Sequence, residues 1–391
     1  MDETPTLMEP MLPEEGNRQL EDLAVDLLAK ASGLASQLKS EIKSSIGNLV
    51  LSMNCYYSNL IEGHNTHPRD IDRALASDFS NSPEKRALQL EARAHIEVQR
   101  LIDEEGNSAD IVSPEYICRI HREFCRRLPE ELLWITNPDS GKRLKITPGE
   151  LRDGDVQVGR HIPPAAESLP LFLDRFAEAY NPDKLSKLRR IIAVAASHHR
   201  LLWIHPFYDG NGRVTRLLSH AYLKNIGIGS GLWSVSRGLA RKVNEYKSLL
   251  MRADQPRQGD LDGRGSLSAK GLLEFCIFFL ETCIDQVEYM ASILEPGELL
   301  RRIEIYAKEE ESAGRLPRGS FLLLREALLA GSFARGKAGG ITGYKERQAR
   351  SVLSALLEKG LLVSGSAKGP VTLGFPIDII ERWLPRLYPE V

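Results

Sequence analysis

His205-Pro206-Phe207-Tyr208-Asp209-Gly210-Asn211-Gly212-Arg213 is the stretch that decides how this 391-residue chain is read. An apolar run ending Leu201-Leu202-Trp203-Ile204 precedes it, and a second helical run, Val214-Thr215-Arg216-Leu217-Leu218, follows. The pattern predicts a tight loop joining two helices. Two glycines flanking Asn211 let backbone N–H groups turn inward and approach a ligand closely. Such a turn feeding a helix N-terminus is an anion site, because orphan N–H groups and the helix dipole point at the ligand. Arg213 and Arg216, three apart on the second helix, can reach one anion. Asp209 beside a phosphate site suggests Mg2+, which takes one or two carboxylates plus phosphate oxygens. His205 opens the loop and can serve as a general base near neutral pH. Base, metal carboxylate, backbone cradle and two arginines are the parts of phosphoryl or nucleotidyl transfer, in which the protein positions groups and offsets charge. Taken alone, Asp-Gly-Asn-Gly is a common turn. The joint pattern is what carries the chemistry.

Around this loop the composition is ordinary. Apolar residues make up 42% and charged residues 27%, so the chain is expected to be globular. A formal net charge of −2 does not mark the whole chain as a polyanion binder. No apolar run approaches a membrane span of about 18 or more residues. The start lacks the basic and apolar segments of a signal peptide. Five cysteines (55, 118, 125, 276 and 283) are scattered without CxxC spacing. That argues against disulfides or a zinc site and for a reducing, cytoplasmic setting.

Residues 1–16 hold five acids, three prolines and no Lys or Arg, and read as a flexible acidic tail. Helical periodicity runs over about 17–62, and further helices are predicted at about 68–78, 83–104, 114–127, 167–179, 184–204, 213–226, 236–252 and 267–292. Between them, 145–162 is rich in Gly and charge, with Val156 and Val158 alternating against Gln157 and Gly159. It predicts an exposed hairpin around Asp153-Gly154. Residues 253–266 read as an inserted loop. From 312 to 391 the charge shifts to 12 Lys/Arg against 6 Asp/Glu. There a helix over 320–329, a Gly-rich turn, a helix over 344–358 and two short apolar segments, 360–363 and 371–373, predict a winged helix.

The joint pattern resembles the signature of the Fic family, His-x-Phe-x-Asp/Glu-Gly-Asn-Gly-Arg-x-x-Arg, and fills every specified position through Arg216. The resemblance, over about 45–290, implies a mainly α fold: a Fic helical core with one β-hairpin flap, here about 145–162, plus the winged helix-turn-helix. It implies a protein adenylyltransferase that moves AMP from ATP to a Tyr, Thr or Ser hydroxyl of a target protein or of itself. His205 would deprotonate that hydroxyl, and Asp209 would hold Mg2+. Gly210, Asn211 and Gly212 would cradle the phosphates, with Arg213 and Arg216 on them. Phe207 would anchor the loop.

Upstream, Ser58-Asn59-Leu60-Ile61-Glu62-Gly63 resembles the family's inhibitory motif. Ser58 and Glu62 are i and i+4 and share a helix face. By resemblance Glu62 pairs with Arg216 and blocks the productive γ-phosphate pose; the same Glu permits a bifunctional or predominantly de-AMPylating enzyme. The implied organisation is a tail (1–16), an N-terminal helical region (17–110) with the inhibitory helix (about 45–62), a Fic core (111–295) and a winged-helix-like domain (300–391). A homodimer is implied by resemblance only. The rival class is a DNA-binding regulator with a Fic domain, using Lys345, Arg347 and Arg350 on the second helix of the C-terminal segment. His198 and His199 are expected to be structural.

Overall fold

The computed structural model describes residues 3–106, 110–136, 141, 143–229 and 231–388. The chain divides into two compact units. One comprises Met1–Ala31, Asn54–Ser230 and Ser234–Gln286; the other comprises Ser32–Met53, Gly231–Trp233 and Val287–Val391.

Helices carry most of the chain, as the periodicity predicts. The single run expected over 17–62 is two helices, α1 (Arg18–Gln37) and α2 (Ser40–Ile61). Then come α3 (Pro68–Leu75), α4 (Pro83–Glu104) and α5 (Pro114–Cys125). Each of these three opens on proline, which is tolerated at the first helical position because its missing N–H would have no partner there. Next follow α6 (Leu169–Tyr180), α7 (Lys187–Ile204), α8 (Asn211–Asn225), α9 (Val235–Arg241), α10 (Val243–Ala253) and α11 (Ala269–Ile293). The centre of the first unit is the pair α7 and α8, with α6 against α7 and with α4 and α5 against α8. Most of α7 is buried, so its apolar run reads as a core helix.

Two expectations are corrected. The hairpin forms earlier than expected: β1 (Trp134–Thr136) pairs antiparallel with β2 (Arg143–Lys145). Within 145–162 only a single bridge remains, Val158 to His161, closed over Gly159-Arg160. The reason is Arg152. Its side chain is buried and donates to the carbonyls of His205 (2.9 Å), Gly154 (2.9 Å) and Pro164 (2.5 Å).

The acidic start, in turn, is docked rather than loose. Met8 and Met11 are buried. Arg175 pairs with Glu9, and Tyr180 Oη donates to the Met11 carbonyl at 2.6 Å. Arg200, fully buried, donates to the Pro10 carbonyl at 2.8 Å, and Arg189 to the Pro13 carbonyl at 2.7 Å. The loop over 253–266 is part of the same arrangement: Leu267 N donates to the Glu9 carbonyl, and Ser266 Oγ to that of Thr6. Composition suggested disorder; what it could not show is that buried arginines need these backbone carbonyls.

In the second unit, α12 (Pro296–Ser312) packs on α13 (Ser320–Ala330). Then follow β3 (Ser332–Phe333), α14 (Ala338–Thr342), α15 (Glu346–Glu358), β4 (Leu362–Val363), β5 (Val371–Leu373) and α16 (Ile380–Trp383). The three strands form one antiparallel sheet in the order β3-β5-β4. The short β3 and α14 lie in a Gly-rich stretch that sequence periodicity reads only as a turn. Gly343, with φ +71°, ends α14 and allows the sharp turn into α15.

Met8→Ala tests the docked start. Truncating a fully buried Met costs about 2–5 kcal/mol, so the melting temperature should drop by several degrees in a thermal scan. A loose tail would leave it unchanged.

Candidate active site

The loop predicted at 205–210 is present between α7 and α8. His205 caps α7 in the left-handed region (φ 50°), and Gly210 (φ 82°) turns the chain into α8. A non-glycine residue at positive φ costs energy and persists only where its surroundings over-determine it. Here they do. The His205 carbonyl accepts from Arg152 Nε, and the Pro206 carbonyl accepts from the Arg152 backbone N–H at 3.0 Å. Asn211 closes the loop from the other end: its Oδ1 accepts from Phe207 N at 3.0 Å, and its Nδ2 donates to the Phe207 carbonyl at 2.8 Å. The Asn211 side chain is therefore committed to the loop, leaving only its backbone for a ligand. Phe207 is fully buried and stacks on His121, centroids 3.9 Å apart. His121 Nδ1 accepts from the Gly149 N–H at 3.0 Å, which fixes the ring.

The first helical N–H of α8 with an acceptor inside the helix is that of Val214, to the Gly210 carbonyl at 2.9 Å. The N–H groups of Asn211, Gly212 and Arg213 thus face outward as an anion cradle. Glu62 covers that cradle. A side chain on Gly212 would meet Glu62 Oε1 and have to push the carboxylate aside. Glu62, at the end of α2, accepts from Arg216 Nη2 at 2.5 Å. Ser58 completes the contact: its Oγ accepts from Arg216 Nε at 2.8 Å and its carbonyl from Nη2 at 3.1 Å. The Arg216 side chain is 3% exposed and that of Glu62 33%. Burial works against the Glu62 charge, but the Arg216 charge and hydrogen bond outweigh it and hold the carboxyl below its usual range.

The first signature arginine has its own carboxylate. Arg213 pairs with buried Glu91 of α4 and, at 3.1 Å, with Asp209; its guanidinium lies over the Phe124 ring. Burial lowers the Arg213 pKa to about 10. Glu91 also holds His64 Nδ1 at 2.8 Å, so the turn that follows Glu62 is tied to the same carboxylate. Glu91 was not singled out from sequence, because a lone Glu in an amphipathic helix carries no spacing signal.

Arg216 is braced from behind. Tyr246 on α10 hydrogen-bonds to it. The Tyr246 hydroxyl and His198 Nε2 are 2.8 Å apart, as are His198 Nδ1 and Ser219 Oγ, which donates to the Thr215 carbonyl at 3.0 Å. With Arg216 donating to Tyr246, the donors run one way along this chain and each proton is used once. His199 likewise has structural partners, Asp254 at 3.0 Å and Arg200 at 2.7 Å.

His205 is neutral at physiological pH. Burial drives its pKa down to about 4, against a hydrogen bond to the Leu202 carbonyl that favours the charged form. One ring nitrogen is thereby left free to accept a proton. Asp209 is half-exposed and has one oxygen toward Arg213. Among the described residues no group of three or more His, Cys, Asp or Glu is placed to hold a metal. Asp209 thus presents a single carboxylate, with one oxygen on Arg213, at the end of the loop.

The residues from 111 to 223 match the Fic/DOC family. Curated relatives named protein adenylyltransferase Fic, from Drosophila erecta and Drosophila melanogaster, are 43% identical over 82 residues. That stretch is 21% of this chain and 17% of each relative. A crystal structure of a Fic family protein from Desulfovibrio desulfuricans G20 superposes with a TM-score of 0.55 at 16% identity, covering 93% of this chain and 98% of that one. A Fic-domain signalling protein from Bacteroides thetaiotaomicron VPI-5482 gives 0.50 at 19% identity, over 68% and 95%. Fold and loop thus define a mainly α protein built around a Fic/DOC domain. Residues 111–223 of the chain form a Fic/DOC family domain.

Two outcomes are expected from this geometry. Glu91→Ala leaves Arg213 short of its buried partner and should cost about 3–5 kcal/mol, read by denaturant unfolding. Acid should also destabilise the fold through His205, His121 (about 4) and His95 (about 3), each held low chiefly by burial. The unfolded chain binds more protons than the folded one below an ordinary His pKa of about 6.5, so stability falls from there down to about pH 4 and no further for His205. His205→Gln should flatten that slope in melting curves taken across the window; an unchanged slope contradicts the assignment.

Proposed function

We propose that this protein transfers AMP from ATP to a side-chain hydroxyl of a protein, and that Glu62 inhibits it in cis. The observation that carries the reading is the convergence of four elements at one loop: neutral His205, the open N–H groups of α8, Asp209, and the pair Arg213 and Arg216. The family match spans this loop, and partial-length relatives carry the adenylyltransferase name.

In this reading the α8 N-terminus cradles the phosphates, and Arg213 and Arg216 offset their charge. Asp209 would hold Mg2+, which when bound neutralises developing charge on the phosphate oxygens. The acceptor hydroxyl gives its proton to His205. Its oxygen bonds to the α-phosphorus as the bond to the bridging oxygen breaks, and diphosphate leaves. The loop's pinning by Arg152 and Asn211 keeps the base and cradle in register, which matters because misplacement by about 1 Å can cost 100-fold.

Glu62 opposes this by charge and by space. It occupies Arg216 and sits on the cradle at Gly212, where a phosphate oxygen belongs. Two like charges about 4 Å apart repel by ~4 kcal/mol at an effective dielectric of about 20, enough to displace a γ-phosphate from its productive place.

Auto-modification with α-labelled ATP and Mg2+ tests the proposal. Glu62→Gly should raise the label at least tenfold over the wild type, and Glu62→Gly with His205→Ala should return it to background. Equal labelling of wild type and Glu62→Gly removes the inhibitory role; no label in any of them removes AMP transfer.

A further inference from the structure

The second unit carries a feature that nucleotide transfer does not use. From Arg335 to Pro370 there are seven Lys or Arg and two Asp or Glu. The buried stripe of α15 is Ala349, Val352, Leu353 and Leu356, which leaves Arg347, Gln348, Arg350, Ser351 and Ser354 on its exposed side. Lys345 stands exposed at the start of α15, Lys337 just before α14, and Lys368 in the turn between β4 and β5. That turn is tied back to the helices. Arg335 Nε donates to the Gly369 carbonyl at 3.3 Å, and Nη2 lies 3.5 Å from that of Ser366.

Two contrasts say what this face is for. Elsewhere in the unit Arg301, Lys308, Arg315 and Arg382 each pair with a carboxylate, while Arg318 and Arg325, among the described residues, do not. Among the described residues, Lys337, Lys345, Arg347 and Lys368 do not; Arg350 alone is engaged, by Glu346. Their charge is left to a partner outside the chain. Large exposed apolar side chains are also few here: among the described residues of the unit they are Ile305, Leu329 and Val363, of which only Val363, at the end of β4, falls in this stretch and none on α14 or α15. A protein partner is held by apolar and aromatic anchors; a phosphate backbone needs only cations and small polar groups.

We propose that this surface binds double-stranded DNA, with α15 in the major groove and the β4–β5 turn on the flanking backbone. The topology suits it: α14 and α15 form a helix-turn-helix, whose second helix is the one that enters the groove. At 13 residues α15 is about 20 Å long, and the major groove of about 12 Å width admits a helix. Lys337, Lys345 and Lys368 contact phosphates. Arg347 and Gln348, near the N-terminal end of α15, reach base edges, where Arg pairs with guanine and Gln with adenine.

The full chain is titrated with a fluorescent 25-bp duplex of random sequence at 50–300 mM salt. Binding at 50 mM is expected, with a slope of log K against log salt of about −3, from the three phosphate contacts. Lys345→Gln/Arg347→Gln/Lys368→Gln should weaken binding at 50 mM about 100-fold and flatten the slope to about −1 to −2, while Arg301→Gln changes neither. Retained melting temperatures show that the variants fold. A duplex selected from a random pool then reads base recognition: Arg347→Lys should keep the salt slope and lose most of the preference for the selected sequence. No binding at 50 mM, a triple variant that binds like the wild type, or polyglutamate binding as tightly as DNA would each overturn the proposal, the last in favour of an acidic protein.

Discussion

A buried arginine must have a partner, and in this protein the partner of Arg216 decides the state of the site. Its guanidinium is enclosed by Ser58 and Glu62 on one side and by Tyr246 on the other. Removing one member of a buried charged pair leaves the other uncompensated at a cost of about 3–5 kcal/mol. Arg216 therefore always needs an anion. Either Glu62 supplies it from within the chain or a phosphate supplies it from outside. In the proposed function, inhibition and catalysis therefore compete for this one side chain.

The rest of the site is organised so that the loop does not move while that exchange takes place. Arg152 grips the backbone at His205 and Pro206, Asn211 grips it at Phe207, and Phe207 is stacked on His121. These contacts come from three different segments. They fix a strained residue, His205, whose buried ring stays neutral and can take a proton. Glu91 adds a second tie: it holds Arg213, and through His64 it holds the turn after Glu62. The turn at Glu62–His64 is thus fastened at two points, Glu62 on Arg216 and His64 on the carboxylate that holds Arg213.

Much of this was legible in the sequence. The helices announce themselves by periodicity, and the loop from His205 to Arg213 by the conjunction of residue types at fixed spacing. The motif at Ser58 and Glu62 was readable because both residues share a helix face, and the structure brings that face to Arg216. The supporting residues were not legible. Glu91, Arg152, His121 and Tyr246 act across the fold on partners 27 or more positions away, or on backbone groups, and sequence spacing carries no mark of such contacts. Arg152 also moved the hairpin: alternation around Asp153 suggested strands, yet a buried guanidinium seeking carbonyls outweighed a weak β pattern. Likewise the acidic, Pro-rich start reads as loose because composition counts residues, while its docking depends on what Arg175, Arg189 and Arg200 require.

The competition for Arg216 is measured most directly by calorimetric binding of ATP and AMP to the wild type and to Glu62→Gln. AMP lacks the phosphates that would reach Arg216, so it serves as the internal control. The account predicts that Glu62→Gln tightens ATP binding about tenfold and leaves AMP unchanged. Equal ATP affinities for the two proteins would contradict it, because Glu62 would then not hold the place that a phosphate needs.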